Sequence, residues 1–180
     1  MESTHSTHRT PWLTSILLTF LVATLFGCAP SSPIRIEASR VKGYHTVSAL
    51  VADADAIVIA QATTDHRIER IASVPFTVVV MEVLDVLKGS VEKGARINLR
   101  QTGDGKVTVE DAPAVSPGTT YLLFLNRFTF GPGRETDQFV IVGVAAGMYE
   151  VHALEASRLD TLSPDLPTTI SLDMLRNQLR

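Results

Sequence analysis

Along this chain the spacing of apolar residues changes several times, and each change predicts an element. From His45 to Ala52 (HTVSALVA), Val47, Leu50 and Val51 fall three and four apart, which predicts a short helix burying one stripe before Asp53 and Asp55. Ala56 to Thr63 (AIVIAQAT) is rich in β-branched residues and predicts a buried strand. The polar stretch from Thr64 to Ser73 is either a long hairpin end or a strand extension. Val74 to Leu87 (VPFTVVVMEVLDVL) is the longest apolar segment of the later chain, and Pro75, Thr77, the three valines and Val83 favour extended structure over helix. Glu82 and Asp85 interrupt opposite phases of its alternation, which predicts a bulge that bends the strand.

Ala95 to Gln101 alternates, with Ile97 and Leu99 on one side and Arg96, Asn98 and Arg100 on the other, so a half-exposed strand is expected before the turn Gly103-Asp104-Gly105. Lys106 to Glu110 returns from that turn. Pro113 and Pro117-Gly118 break regularity, and Thr120 to Leu125 (TYLLFL) predicts a central strand buried on both faces. Gly131-Pro132-Gly133 turns the chain into Phe139 to Val144, and Met148 to Val151 follows. Near the end, Leu172, Leu175 and Leu179 share a helical face, with Ser171 as N-cap.

Strands that follow one another without intervening helices exclude a parallel α/β sheet. The expected fold is mainly β: a small antiparallel OB-like barrel of five to seven strands, with a short N-terminal helix and a C-terminal helix. The barrel is preferred to a sandwich because the longest strand carries a bulge and glycines punctuate the strand ends.

Residues 12 to 26 (WLTSILLTFLVATLF) carry no charge, and these fifteen residues are followed closely by the single cysteine, Cys28. As a helix they would rise about 22 Å, short of the roughly 30 Å hydrocarbon core, so a signal-peptide apolar region fits better than a spanning helix. An uncleaved anchor is the alternative. One cysteine cannot form a disulfide within the chain, and a catalytic thiol would need a histidine and an orienting partner from a folded domain. The expected organisation is a leader over residues 1–27, a modified Cys28 and tether over 28–43 containing Ala29-Pro30-Ser31-Ser32-Pro33, a barrel over 44–155, and an extension with a helix over 156–180.

Leu25-Phe26-Gly27-Cys28 resembles the lipobox of bacterial lipoproteins, with Phe26 standing where that family has a small or aliphatic residue. The resemblance implies a diacylglyceryl group on the Cys28 sulfur, cleavage before it, a lipid bilayer as partner and a place in the cell envelope. Each buried CH₂ contributes about 0.8 kcal/mol, so two or three acyl chains hold a domain firmly to a membrane. Ala54 to Ala60, Val80 to Gly89 and Gly118 to Leu125 (GTTYLLFL) resemble segments of a group of bacterial lipoproteins and exported proteins. More distantly they are similar to the netrin-like modules of netrins and metalloproteinase inhibitors, which implies an OB barrel. The disulfides of those modules are missing here. Their inhibitory chemistry uses a free N-terminal cysteine amine, so it is not carried over to a lipidated Cys28.

The net charge is −3, and the leader contributes one residue of each sign, Glu2 and Arg9, so the balance persists after cleavage. No basic stripe suits a nucleic acid. His45, His66 and His152 are scattered, no metal is expected, and Asp53-Ala54-Asp55 lacks the rest of a calcium loop. Glu110-Asp111 with Asp104 suits a solvated hairpin tip better than an acid–base pair. No GxSxG, SxxK, P-loop or GxGxxG occurs. No catalytic residue and no cofactor is assigned. On an OB barrel, ligands meet one sheet face and its flanking loops. Arg96, Asn98 and Arg100, with Phe128 and Phe130, are therefore the candidate binding patch for an envelope protein or glycan. An ordinary wet strand face and a minor core under a loop are the competing readings. The expected activity is that of a monomeric, non-catalytic binding module; the alternative is an envelope hydrolase or enzyme accessory subunit.

Overall fold

The computed structural model describes residues 42–109, 112–131 and 133–180 and the backbone of Ile34–Ile36; Cys28, its leader, Glu110, Asp111 and Pro132 lie outside the described residues. Helix α1 (Val47–Asp53) starts where Thr46 accepts a hydrogen bond from the Ala49 amide at 3.2 Å, and it buries Leu50. Strands β2 (Ala56–Ile71) and β3 (Val74–Lys88) follow as one long hairpin. The polar stretch from Thr64 is thus a strand extension, and the chain reverses through Ala72 and Ser73, at φ 46° and 71°. The earlier strand β1 (Ile34–Ile36) pairs in parallel with β5 (Val107–Val109).

The irregularity expected from Glu82 and Asp85 is present. The register between β2 and β3 slips between Ile59↔Asp85 and Ala60↔Val83, leaving Leu84 unopposed, and slips again at Leu87 and around Thr63 to Asp65. Each extra residue bends its strand and increases the twist, so the hairpin can curl into a barrel wall. β4 (Arg96–Thr102) pairs with β3, β6 (Thr120–Thr129) pairs with β2, and β7 (Glu135–Ile141) pairs with both β4 and β6. The ring therefore runs β2–β3–β4–β7–β6 and back to β2. It is antiparallel except at β4–β7, where Leu99 stands beside Phe139 in a parallel pair. This is a small OB-like barrel.

The sheet then continues beyond the ring from β6 through β8 (Met148–His152), β9 (Glu155–Arg158) and β10 (Thr169–Ser171). Strand periodicity sends alternate residues of β2 and β6 into two cores. Ala56, Val58, Ala60, Tyr121, Leu123 and Leu125 fill the barrel with Met81, Leu99 and Phe139. Ile57, Ile59, Leu122 and Phe124 point outward into a second core, closed by α1, β8 and α2 (Leu172–Gln178). The predicted doubly buried strand and the Ser171 cap are both observed; the Ser171 hydroxyl accepts from the Met174 amide at 3.4 Å. The second core also takes Ala156, Leu166 and Ile170, so the segment after residue 155 completes a buried layer. No described helix is long and apolar enough to cross a membrane.

Tyr149 lies in this outer core with its ring centroid 6.2 Å from that of Phe124, and its hydroxyl is buried without a hydrogen-bond partner among the described residues. Burial pushes the phenol up to about 12, with Asp160 adding to the shift and Arg158 opposing it. An unpaired buried hydroxyl costs about 1 kcal/mol or more. Tyr149→Phe is therefore expected to keep or raise the melting temperature, by up to roughly 4 °C. A clear fall would mean that the hydroxyl is satisfied in solution.

Candidate functional site

β4 sends Ile97 and Leu99 into the barrel and Arg96, Asn98 and Arg100 to its outer wall, as the alternation predicts. What lies over that wall differs along the strand. Arg96 is exposed and pairs with Asp65 of the β2 extension. Asn98 donates to Asp137 at 2.7 Å and accepts from Arg67 at 3.5 Å. Arg100 is covered: its side chain is only 1% exposed. The expected wet face is therefore wet at Arg96 and closed at Arg100.

Three of the five expected patch residues meet at this closed end. The Arg100 guanidinium carbon lies 4.4 Å from the centre of the Phe128 ring, 4.9 Å from Phe76 and 5.8 Å from Phe130. Phe128 and Phe130 contact each other edge to face at 4.9 Å; Phe130 lies in the turn after β6, whereas Phe128 is a residue of β6 itself and not of the expected loop. Stacking an Arg on aromatic faces is favourable when water is excluded, because ring quadrupole and cation attract without competition from solvent. Phe130 is itself half exposed, so one edge of the aromatic cover meets solvent.

Under the rings the guanidinium is held in a polar frame. Nε donates to Gln138 Oε1 at 2.5 Å, and Nη2 donates to Glu69 Oε2. Gln138 Nε2 donates in turn to both Glu69 oxygens, at 3.1 and 3.3 Å, and Arg67 Nε donates to Glu69 Oε1 at 2.8 Å. Nη1 is buried and has no hydrogen-bond partner among the described residues. Glu69, Gln138, Arg67 and Phe76 are members of this site that sequence reading missed. Glu69 comes from the far end of the β2–β3 hairpin, where it stands opposite Phe76, so a correct hairpin register would have found it.

Burial alone would raise the Glu69 carboxyl, but hydrogen bonds from Gln138 and Arg67 and the charges of Arg100 and Arg67 outweigh it and hold it below its usual 4.5. A carboxyl lowered by folding adds stability above its unfolded value and loses it as pH falls through the folded one. Stability should thus decline with pH below about 4.5. Glu69→Gln is expected to flatten that decline in acid denaturation curves. Asp53 and Asp104 are also lowered, chiefly by hydrogen bonds from Lys42 and Tyr44 and from the Val107 amide respectively, so a reduced slope should persist. An unchanged acid limb would contradict the frame around Glu69.

Beside Arg100 opens a cleft of about 350 Å³, walled mainly by Phe76, Val79, Val107, Val109, Val115 and Ile141. Its floor is set by the turn after β4. Gly103, at φ +112°, donates to Pro75 O and accepts from Thr77 Oγ1, and a Cβ there would sit 2.3 Å from the Val107 carbonyl oxygen. Only glycine fits that close backbone approach. Asp104 accepts from the Lys106 and Val107 amides, as a turn residue does.

The other singled-out residues lie apart from this site. His45 contacts Asp165 at 2.6 Å, His66 lies near the Thr64 carbonyl and His152 near Glu150, all exposed. Asp53 accepts from Lys42 and Tyr44, and Asp55 from the Arg127 amide. Among the described residues no three of His, Cys, Asp and Glu converge as metal ligands would. The wall brings together aromatic faces, a guanidinium and an apolar cleft. No family model, no curated protein and no solved structure matches the chain.

Proposed function

We propose that this chain is a lipid-anchored lipoprotein of the cell envelope, held on a bilayer through acylated Cys28, whose barrel is a non-catalytic binding module. The observation that carries the binding role is the convergence of Arg100, Phe128 and Phe130 beside the cleft, from segments far apart in sequence. Residues that merely filled a strand face would have no reason to gather a cation, three rings and an open apolar space. Arg96, exposed, and Asn98, half-buried, extend the same wall with polar groups suited to an envelope protein or glycan. The leader and the Leu25-Phe26-Gly27-Cys28 motif support the anchor.

Two measurements test the two halves. Metabolic acyl labelling should mark the wild-type chain and fail on Cys28→Ala, whose precursor should be released or mislocalised; normal labelling of the variant defeats the anchor. In-cell crosslinking of the tagged chain should enrich one envelope partner and lose it in Arg96→Ala/Phe130→Ala, both at exposed positions that make none of the hydrogen bonds to Arg100. Equal enrichment from the variant would remove this wall from the binding role.

A further inference from the structure

We propose that the cleft beside Arg100 binds a small monocarboxylate with an apolar body, its carboxylate received by Nη1. This rests on the reading that the wall is a binding face and does not depend on the anchor. The cleft walls are mostly aliphatic, which suits a hydrocarbon body. The polar end is specified by one atom. The Arg100 side chain is 99% covered and lines the cleft, and Nη1 is the guanidinium nitrogen that no group among the described residues satisfies.

A buried donor left unpaired is costly, and an acceptor supplied by a ligand removes that cost. Charge decides which acceptor. Arg67 and Arg100 face Glu69, and Asp137, held by the neutral Asn98, brings a second carboxylate to the edge of the frame. Asp104 lies beyond them, engaged by Arg70 and two backbone amides. Nη1 is a cationic donor, so an anionic oxygen is its strongest acceptor, whereas an ammonium offers it none. The Phe76 and Phe128 rings stack on the guanidinium and also wall the cleft, so the ligand reaches Nη1 by displacing the Phe128 ring toward half-exposed Phe130.

The test is calorimetric titration of the purified full chain, held in nanodiscs, with octanoate and with octylammonium, against empty nanodiscs. Octanoate should bind at least roughly tenfold more tightly than octylammonium, the difference expected for one charge-assisted hydrogen bond. Glu69→Gln/Arg100→Met removes the donor and its buried counter-charge together and should erase that preference. Ala114→Trp, at an exposed position on the cleft wall, should block octanoate while leaving the far-UV spectrum unchanged. No octanoate binding, equal binding of the two amphiphiles, or undiminished binding by Ala114→Trp would each overturn the proposal. A crosslinked partner lost in Arg96→Ala/Phe130→Ala alongside silent octanoate titrations would leave the binding wall standing and remove only this ligand.

Discussion

Arg100→Ala is expected to cost about 3 kcal/mol of folding stability, a fall of roughly 6–12 °C in melting temperature for a domain of this size. Three losses combine. Glu69 keeps Arg67 and Gln138 but loses the covered cation that faces its Oε2. Gln138 Oε1 loses its donor, and Phe76, Phe128 and Phe130 lose the plane they stack on. Removing one member of a buried pair is more damaging than removing both, because the survivor stays desolvated without its counter-charge. Glu69→Gln/Arg100→Met should recover much of the loss. Thermal denaturation followed by the β-sheet signal decides the matter: a melting temperature unmoved by Arg100→Ala would show that the guanidinium contributes nothing to the wall.

The second large effect lies on the other side of the sheet. Phe124→Ala should cost about 3–5 kcal/mol, because it empties the centre of a core whose members are held by rigid strands that cannot collapse into the space. Phe124 is wholly buried beside Tyr149, and its backbone ties the loop after β7 to the sheet: its amide donates to Gly147 O and its carbonyl accepts from Val142 N, both at 2.9 Å. Gly147 has no Cβ because one would lie 2.9 Å from the Phe124 Cβ, so that loop cannot move in to fill the cavity without losing its bonds. Chemical denaturation should show the midpoint falling with an unchanged slope. A loss under about 1 kcal/mol would mean that the outer layer is loosely packed.

Strand positions were readable because their cause is local. TYLLFL carries large apolar residues at every position, and only a strand covered on both faces accepts that. The bend in β3 was readable from the clash of phase between Glu82 and Asp85. The β2–β3 hairpin was less legible, since its turn uses Ala72 and Ser73 at positive φ where glycine or asparagine would announce it. The site was half legible for the same kind of reason. Alternation assigns Arg100 to the outer face, but it cannot say what covers that face. The cover comes from Phe128 and Phe130, which sequence reading put on a loop tip, and from Glu69 and Gln138, which only ring closure brings near.

Strand pairing in the barrel wall has one more effect, on self-association. The stretch from Val74 to Leu84 joins high β propensity to sparse charge, the composition that stacks into cross-β fibrils when it is free to pair with copies of itself. In the native chain both its edges are taken, by β2 on one side and β4 on the other. Among the described residues the sheet's terminal strand is β10, three residues long and running straight into α2, too short to template another strand. Protection from fibril growth is therefore a property of the paired β2–β3–β4 wall, and it lapses whenever β4 parts from β3.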